Sequence, residues 1–114
     1  MLKIINEHSE HIVAKVAITE ANLNYSNHFK TELVSLLDSK RRAIWLDMEQ
    51  VSYVDSSFLG SLVAGLKHAL SAGNDMVLLK VQKDVHDLLK LIRLDKVFKI
   101  YTDEASATIA INNG

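Results

Sequence analysis

The residues best placed to do chemistry are Asp55, Ser56 and Ser57, an acid and two hydroxyls set where one apolar run ends and an amphipathic one begins. Ahead of them, Ala43 to Met48 reads as a short apolar strand. After them, Leu59, Leu62, Val63, Leu66 and Leu70 recur at the spacing of one helical face. Acids and hydroxyls at such a junction accept the first free backbone N–H groups of the helix, so the simplest job for the trio is capping. The same position leaves a hydroxyl exposed beside a ready-made anion site. A phosphoryl group on Ser56 would add roughly 1.5 to 2 negative charges and three acceptor oxygens at pH 7. Both suit the free N–H groups and the dipole of a helix N-terminus. Such a modification would leave the fold standing and act on a partner packed over that end of the helix, through repulsion, bulk and the desolvation of a dianion. Asp55 next door makes the spot more negative still.

The elements that must position this trio can be read in order. Leu2 to Ile5 and Ile12 to Ile18 read as two strands joined by the polar turn Asn6-Glu7-His8-Ser9-Glu10, and would pair as a hairpin. In the second, Ile12, Ala14, Val16 and Ile18 alternate with Val13, Lys15 and Ala17, giving one plainly apolar face and one mixed face. Thr19 to Asn24 reads as a polar loop, and Phe29, Leu33, Leu36 and Leu37 then mark the buried stripe of a helix from about Ser26 to Ser39. Lys40, Arg41 and Arg42 close it, as cations do at a helix C-terminus. Ala43 to Leu46 is apolar on both faces and follows a helical crossover, so it reads as an inner, parallel strand. The helix after Ser56 stops at Ala72-Gly73-Asn74, where glycine can turn left-handed. Met76 to Val81 is another interior strand; Val85, Leu88, Leu89 and Ile92 give a third helix; Phe98 to Tyr101 is a short last strand. Thr102, followed by Asp103 and Glu104, reads as the N-cap of a terminal helix reaching Ile111.

Composition narrows the function classes. The chain has 114 residues, 48% of them apolar, with no cysteine and no proline. That length suits one domain with a single core, and the absence of cysteine removes disulfide frameworks and thiol nucleophiles. No apolar run approaches the ~18 residues of a membrane span. The N-terminus reads as a strand without the apolar stretch of a secretory signal, so a cytoplasmic protein is the expectation. Net charge is -1, and the 13 basic residues are densest only at Lys40-Arg41-Arg42, which argues against nucleic acid as the partner.

Other chemistry thins out. Gly60, Gly65 and Lys67 lack the spacing and the following hydroxyl of a phosphate-binding loop. Of His8, His11, His28, His68 and His86, only His8 and His11 are close; with Glu7 and Glu10 they could bind a stray metal ion, but a solvated turn is the preferred reading. No serine sits in a Gly-x-Ser-x-Gly elbow, and nothing in the spacing shows Asp47, Glu49 and Asp55 converging. Neither a catalytic residue, a metal site nor a cofactor is expected. Trp45 reads as core. A second row on the central helix, Phe58, Ser61, Gly65 and His68, runs at three- and four-residue steps away from the leucine stripe. Small residues there would let another backbone approach closely, or else Ser61 and Gly65 pack under a neighbouring helix or face water; Phe58, if exposed, would be an apolar anchor for a partner.

The stretch Val51-Ser52-Tyr53-Val54-Asp55-Ser56-Ser57-Phe58-Leu59-Gly60, followed by an apolar helix, resembles the signature of the STAS domain family. Leu94-Asp95-Lys96-Val97-Phe98-Lys99-Ile100 is similar to the family's approach to its last strand, and the order of elements is similar throughout. The resemblance implies one α/β domain over residues 1–114, with a mixed sheet of four or five strands, helices mainly on one face and an N-terminal hairpin. It also implies the small stand-alone type that acts as an anti-sigma factor antagonist. In that type the serine after the aspartate, here Ser56, is phosphorylated by a dedicated kinase and released by a serine phosphatase, with Ser57 the minor alternative. The unmodified form would capture an anti-sigma factor or related serine kinase and free a sigma factor. Asp55, Ser57, Phe58, Ser61, Gly65 and Asn24 would line the partner surface. Two positions depart from the family's pattern: Phe58 stands where glycine is usual, and Thr19-Glu20-Ala21-Asn22-Leu23-Asn24 lacks the usual glycine and aspartate. A constitutive STAS subunit docked on a bacterial lipid-transport ATPase is the alternative, and it needs no phosphorylation.

Overall fold

The computed structural model describes residues 1–113. Its central layer is a five-stranded sheet built from β1 (Leu2–Glu7), β2 (His11–Val16), β4 (Ala43–Asp47), β6 (Met76–Leu79) and β7 (Lys99–Tyr101), in the order β1-β2-β4-β6-β7. β1 and β2 form the expected antiparallel hairpin, with Ile5 bulged out between the pairs Ile4 with Ala14 and Asn6 with Val13. The remaining neighbours are parallel, each reached by a helical crossover. The helices are α1 (Leu23–Lys40), α2 (Ser56–Ser71), α3 (Lys83–Leu91) and α4 (Glu104–Asn113).

Register explains why β4 and β6 are apolar on both sides. Ile12, Ile44 and Met76 lie in one cross-strand row, and Ala14, Leu46 and Leu78 in another on the same face. These rows pack against Phe29, Leu33 and Leu37 of α1, Leu59, Leu62 and Leu66 of α2, and Val85 and Leu89 of α3. The opposite row, Val13, Trp45 and Val77, faces the back of the sheet, where Leu79 of β6 and Ala107 of α4 complete a small second core. Three helices therefore cover one face and one covers the other.

Several boundaries differ from the sequence reading. Thr19 to Asn24 is not wholly loop: Glu20–Ala21 forms a two-residue strand, β3, paired in parallel with β5 (Tyr53–Val54). α1 starts at Leu23, capped by Asn22, because an uncounted turn precedes Phe29. Asp103, not Thr102, accepts the Ser106 N–H at the start of α4. Leu70 leaves the leucine stripe for solvent, its place taken by Ala69, and Ile92 lies exposed just beyond α3. α2 ends as expected: Gly73 has φ of 78° and the Asn74 N–H donates to the Ala69 carbonyl, closing the helix with the wide turn that glycine permits.

Candidate functional site at the joined N-termini of α1 and α2

The short β3–β5 ladder sets the site. Glu20 lies opposite Tyr53 and Ala21 opposite Val54. The next residue on each strand, Asn22 and Asp55, is extended and caps a helix. The Asp55 N–H donates to the Ala21 carbonyl at 3.1 Å, so the two helix starts are held level by backbone. Asn22 Oδ1 accepts from the Asn24 N–H at 3.0 Å. Asp55 does more than cap its own helix: Oδ1 accepts from Phe58 N–H at 2.9 Å, while Oδ2 accepts from Leu23 N–H at 2.7 Å. One carboxylate thus joins two helix N-termini, and neither helix has an acid in its first turn.

Ser56 is the first residue of α2 and is exposed; Ser57 is half-buried. Ser56 lies ahead of the intrahelical hydrogen-bond ladder, where backbone N–H groups point outward and the dipole favours an anion. Exposed apolar side chains stand in the same segments: Leu23 is 67% accessible, Tyr53 53% and Tyr25 41%. Asn24 is exposed beside them. The arrangement sets an exposed hydroxyl on the first turn of α2 beside an apolar rim, while the first-turn N–H groups of α1 are already taken by Asp55 and Asn22.

Three of the residues expected on the partner surface lie elsewhere. Phe58 is fully buried, its ring tilted against Phe29 at a centroid distance of 4.5 Å. Ser61 is buried and donates to the Ser26 carbonyl at 2.7 Å. Gly65 faces Leu33, so tightly that an added Cβ would overlap its side chain. His68 continues the row, with Nε2 2.7 Å from Asp38 Oδ1. The row does admit a close backbone approach, but the backbone is that of α1. Asn22, Leu23 and Tyr53 take the vacated place in the site. Asn22 could have been found as a capping residue ahead of an amphipathic run. The other two carry no sequence signal, because their position depends on the β3–β5 pairing.

The STAS domain family matches residues 6–107, and the chain belongs to that family. Among solved structures it is similar to a Thermotoga maritima protein assigned as an anti-sigma factor antagonist, at 26% identity and a TM-score of 0.79, covering 98% of this chain and 93% of that one. It shares its fold with the anti-sigma factor antagonist SpoIIAA in the unphosphorylated form, at 12% identity and a TM-score of 0.71, covering 100% of this chain and 99% of that one. The phosphorylated form of Bacillus SpoIIAA matches at 14% identity and a TM-score of 0.70, covering 96% and 99%. Among the described residues no helix is long and apolar enough to cross a membrane.

Proposed function

We propose that this chain is a cytoplasmic regulatory binding protein of the anti-sigma factor antagonist type, whose hold on its partner is switched by reversible phosphorylation of Ser56. The observation that carries the proposal is the exposed Ser56 hydroxyl at the junction where Asp55 joins the N-termini of α1 and α2. A kinase supplies its own base, so the serine needs only to be reachable; a dianion there gains from the α2 dipole and is opposed by the neighbouring Asp55 carboxylate. The partner is an anti-sigma factor or serine kinase of the partner-switching kind, and a serine phosphatase resets the site. Leu23, Asn24, Tyr25 and Tyr53 form its contact rim, in place of Phe58, Ser61 and Gly65. Similarity of fold to SpoIIAA in both phosphorylated and unphosphorylated forms supports a modification that acts on binding and leaves the fold standing. The second reading is a constitutive STAS subunit docked on a bacterial lipid-transport ATPase without phosphorylation; Phe58, being buried, would not be its contact.

Intact mass and fragment mapping of protein isolated from its host with phosphatases inhibited test the proposal: a phosphoryl group on Ser56 in part of the population is expected. Ser56→Asp is expected to weaken partner binding by roughly tenfold or more, equivalent to about 1.4 kcal/mol, with Ser56→Ala binding like the parent protein. Unmodified serine across growth and stress conditions, together with unchanged affinity of Ser56→Asp, would sink it.

A further inference from the structure

Far from Ser56, at the other end of the sheet, three donor atoms from separate elements converge. His8 lies in the turn after β1, His11 opens β2 opposite the first residue of β4, and Glu104 opens α4. His8 Nε2 is 2.9 Å and His11 Nε2 3.9 Å from Glu104 Oε1, and all three atoms lie within 4.8 Å of one another. We propose that His8, His11 and Glu104 form a binding site for one divalent transition-metal ion of the Zn²⁺ class, which fastens α4 to the β1–β2 hairpin.

Four features favour this assignment. Ligands held ~2.0–2.1 Å from Zn²⁺ in a tetrahedron stand about 3.3 Å apart, and the two separations from Glu104 Oε1 fall on either side of that spacing. His11 Nε2 is buried and has no hydrogen-bond partner, so a polar ring nitrogen is withheld from water with nothing to engage it. Its ring is stacked on Trp45 at 3.6 Å and 12°, which fixes the direction in which Nε2 points. Glu104 is oriented as well: its Oε2 accepts from Asn6 Nδ2 at 3.0 Å, leaving Oε1 for the imidazoles, as outer-shell partners do at metal sites.

The donor set is two nitrogens and one oxygen, which suits Zn²⁺ and its neighbours and not Mg²⁺ or Ca²⁺. His8 is half exposed, giving the ion a way in, and both imidazoles line a cavity of about 300 Å³ together with Trp45, Val77, Thr108 and Ile111. Glu7, considered with the histidines from sequence, is instead engaged by Lys40 and Arg42 at 3.1 Å each. The site draws on no residue of the Ser56 junction and stands or falls separately from it.

Calorimetric titration of untagged, chelator-treated protein with ZnCl₂ tests the proposal. One ion per chain and a higher melting temperature are expected. His8→Ala, at a half-exposed position that leaves folding intact, and Glu104→Gln should each weaken binding by about tenfold or more, and Asn6→Ala by about tenfold through the lost orientation of Glu104. His28→Ala, on the exposed side of α1, and Ser56→Asp should bind as the parent does. Absence of saturable binding, or one-to-one binding that survives both His8→Ala and Glu104→Gln, would overturn the assignment.

Discussion

Asp55 serves two helices at once, so losing it should cost more than losing an ordinary cap. A single capping side chain is worth about 0.5–2 kcal/mol; Asp55→Ala, which removes the acceptors for both Phe58 and Leu23, is expected to lower unfolding free energy by about 2 kcal/mol or more in urea titration. Asp55→Asn keeps one oxygen and should recover part of that loss. Ser56→Ala, at an exposed position, should shift stability by less than about 0.5 kcal/mol. Phe58→Ala, beside it in sequence, should cost about 3–5 kcal/mol because its ring is wholly inside the core. The sequence made Asp55 legible as a cap for its own helix, since an acid before an amphipathic run says so. The second bond, to Leu23, was hidden because it spans segments that only the β3–β5 ladder brings level. Phe58 was misread for a related reason: on an isolated helix, a row oblique to the leucine stripe looks like surface until the neighbouring helix is in place.

At the scale of elements, α1 and α2 approach closely because Gly65 has no side chain where Leu33 lies. An added methyl would meet Leu33 Cγ at 3.2 Å and Met76 Sδ at 3.4 Å. Gly65→Ala is therefore expected to destabilise by about 1–3 kcal/mol through overpacking. Gly60, on the same helix, has nothing within 4 Å of an added Cβ, and Gly60→Ala should be neutral or stabilise by up to about 1 kcal/mol. The opposite signs, read from paired denaturation curves, separate helix packing from helix propensity. The elements themselves were largely legible: apolar stripes mark α1, α2 and α3, alternation marks β2, short apolar runs mark β4 and β6, and capping residues mark the start of α4. The two-residue strands β3 and β5 were not, since neither is long enough to show alternation. They nevertheless decide where the site is, through backbone pairing that residue types barely record.

The whole molecule is covered unequally. Three helices shield one face of the sheet, while α4 shields the other with Ala107 buried and Ile109 and Ile111 exposed. Ending the chain after Tyr101 should leave the larger core folded, lower the melting temperature, and shift Trp45 emission to longer wavelength as water reaches the ring. The mixed order of the sheet could be anticipated from the alternation of strands and crossovers, and the resemblance supplied its overall plan. How tightly each face is covered could not, because that depends on where α4 lands. One further consequence belongs to the bulge at Ile5. β1 is the outermost strand, exposed from Lys3 onward, with Ile4 at 43% and Ile5 at 47% accessibility. A regular strand so placed would offer its unpaired amides and carbonyls to a second copy, the first step towards ordered aggregates. The extra residue bends and twists that border, spoiling it as a template. Deleting Ile5, which would restore a regular edge, should therefore promote self-association, seen as a mass increase by light scattering.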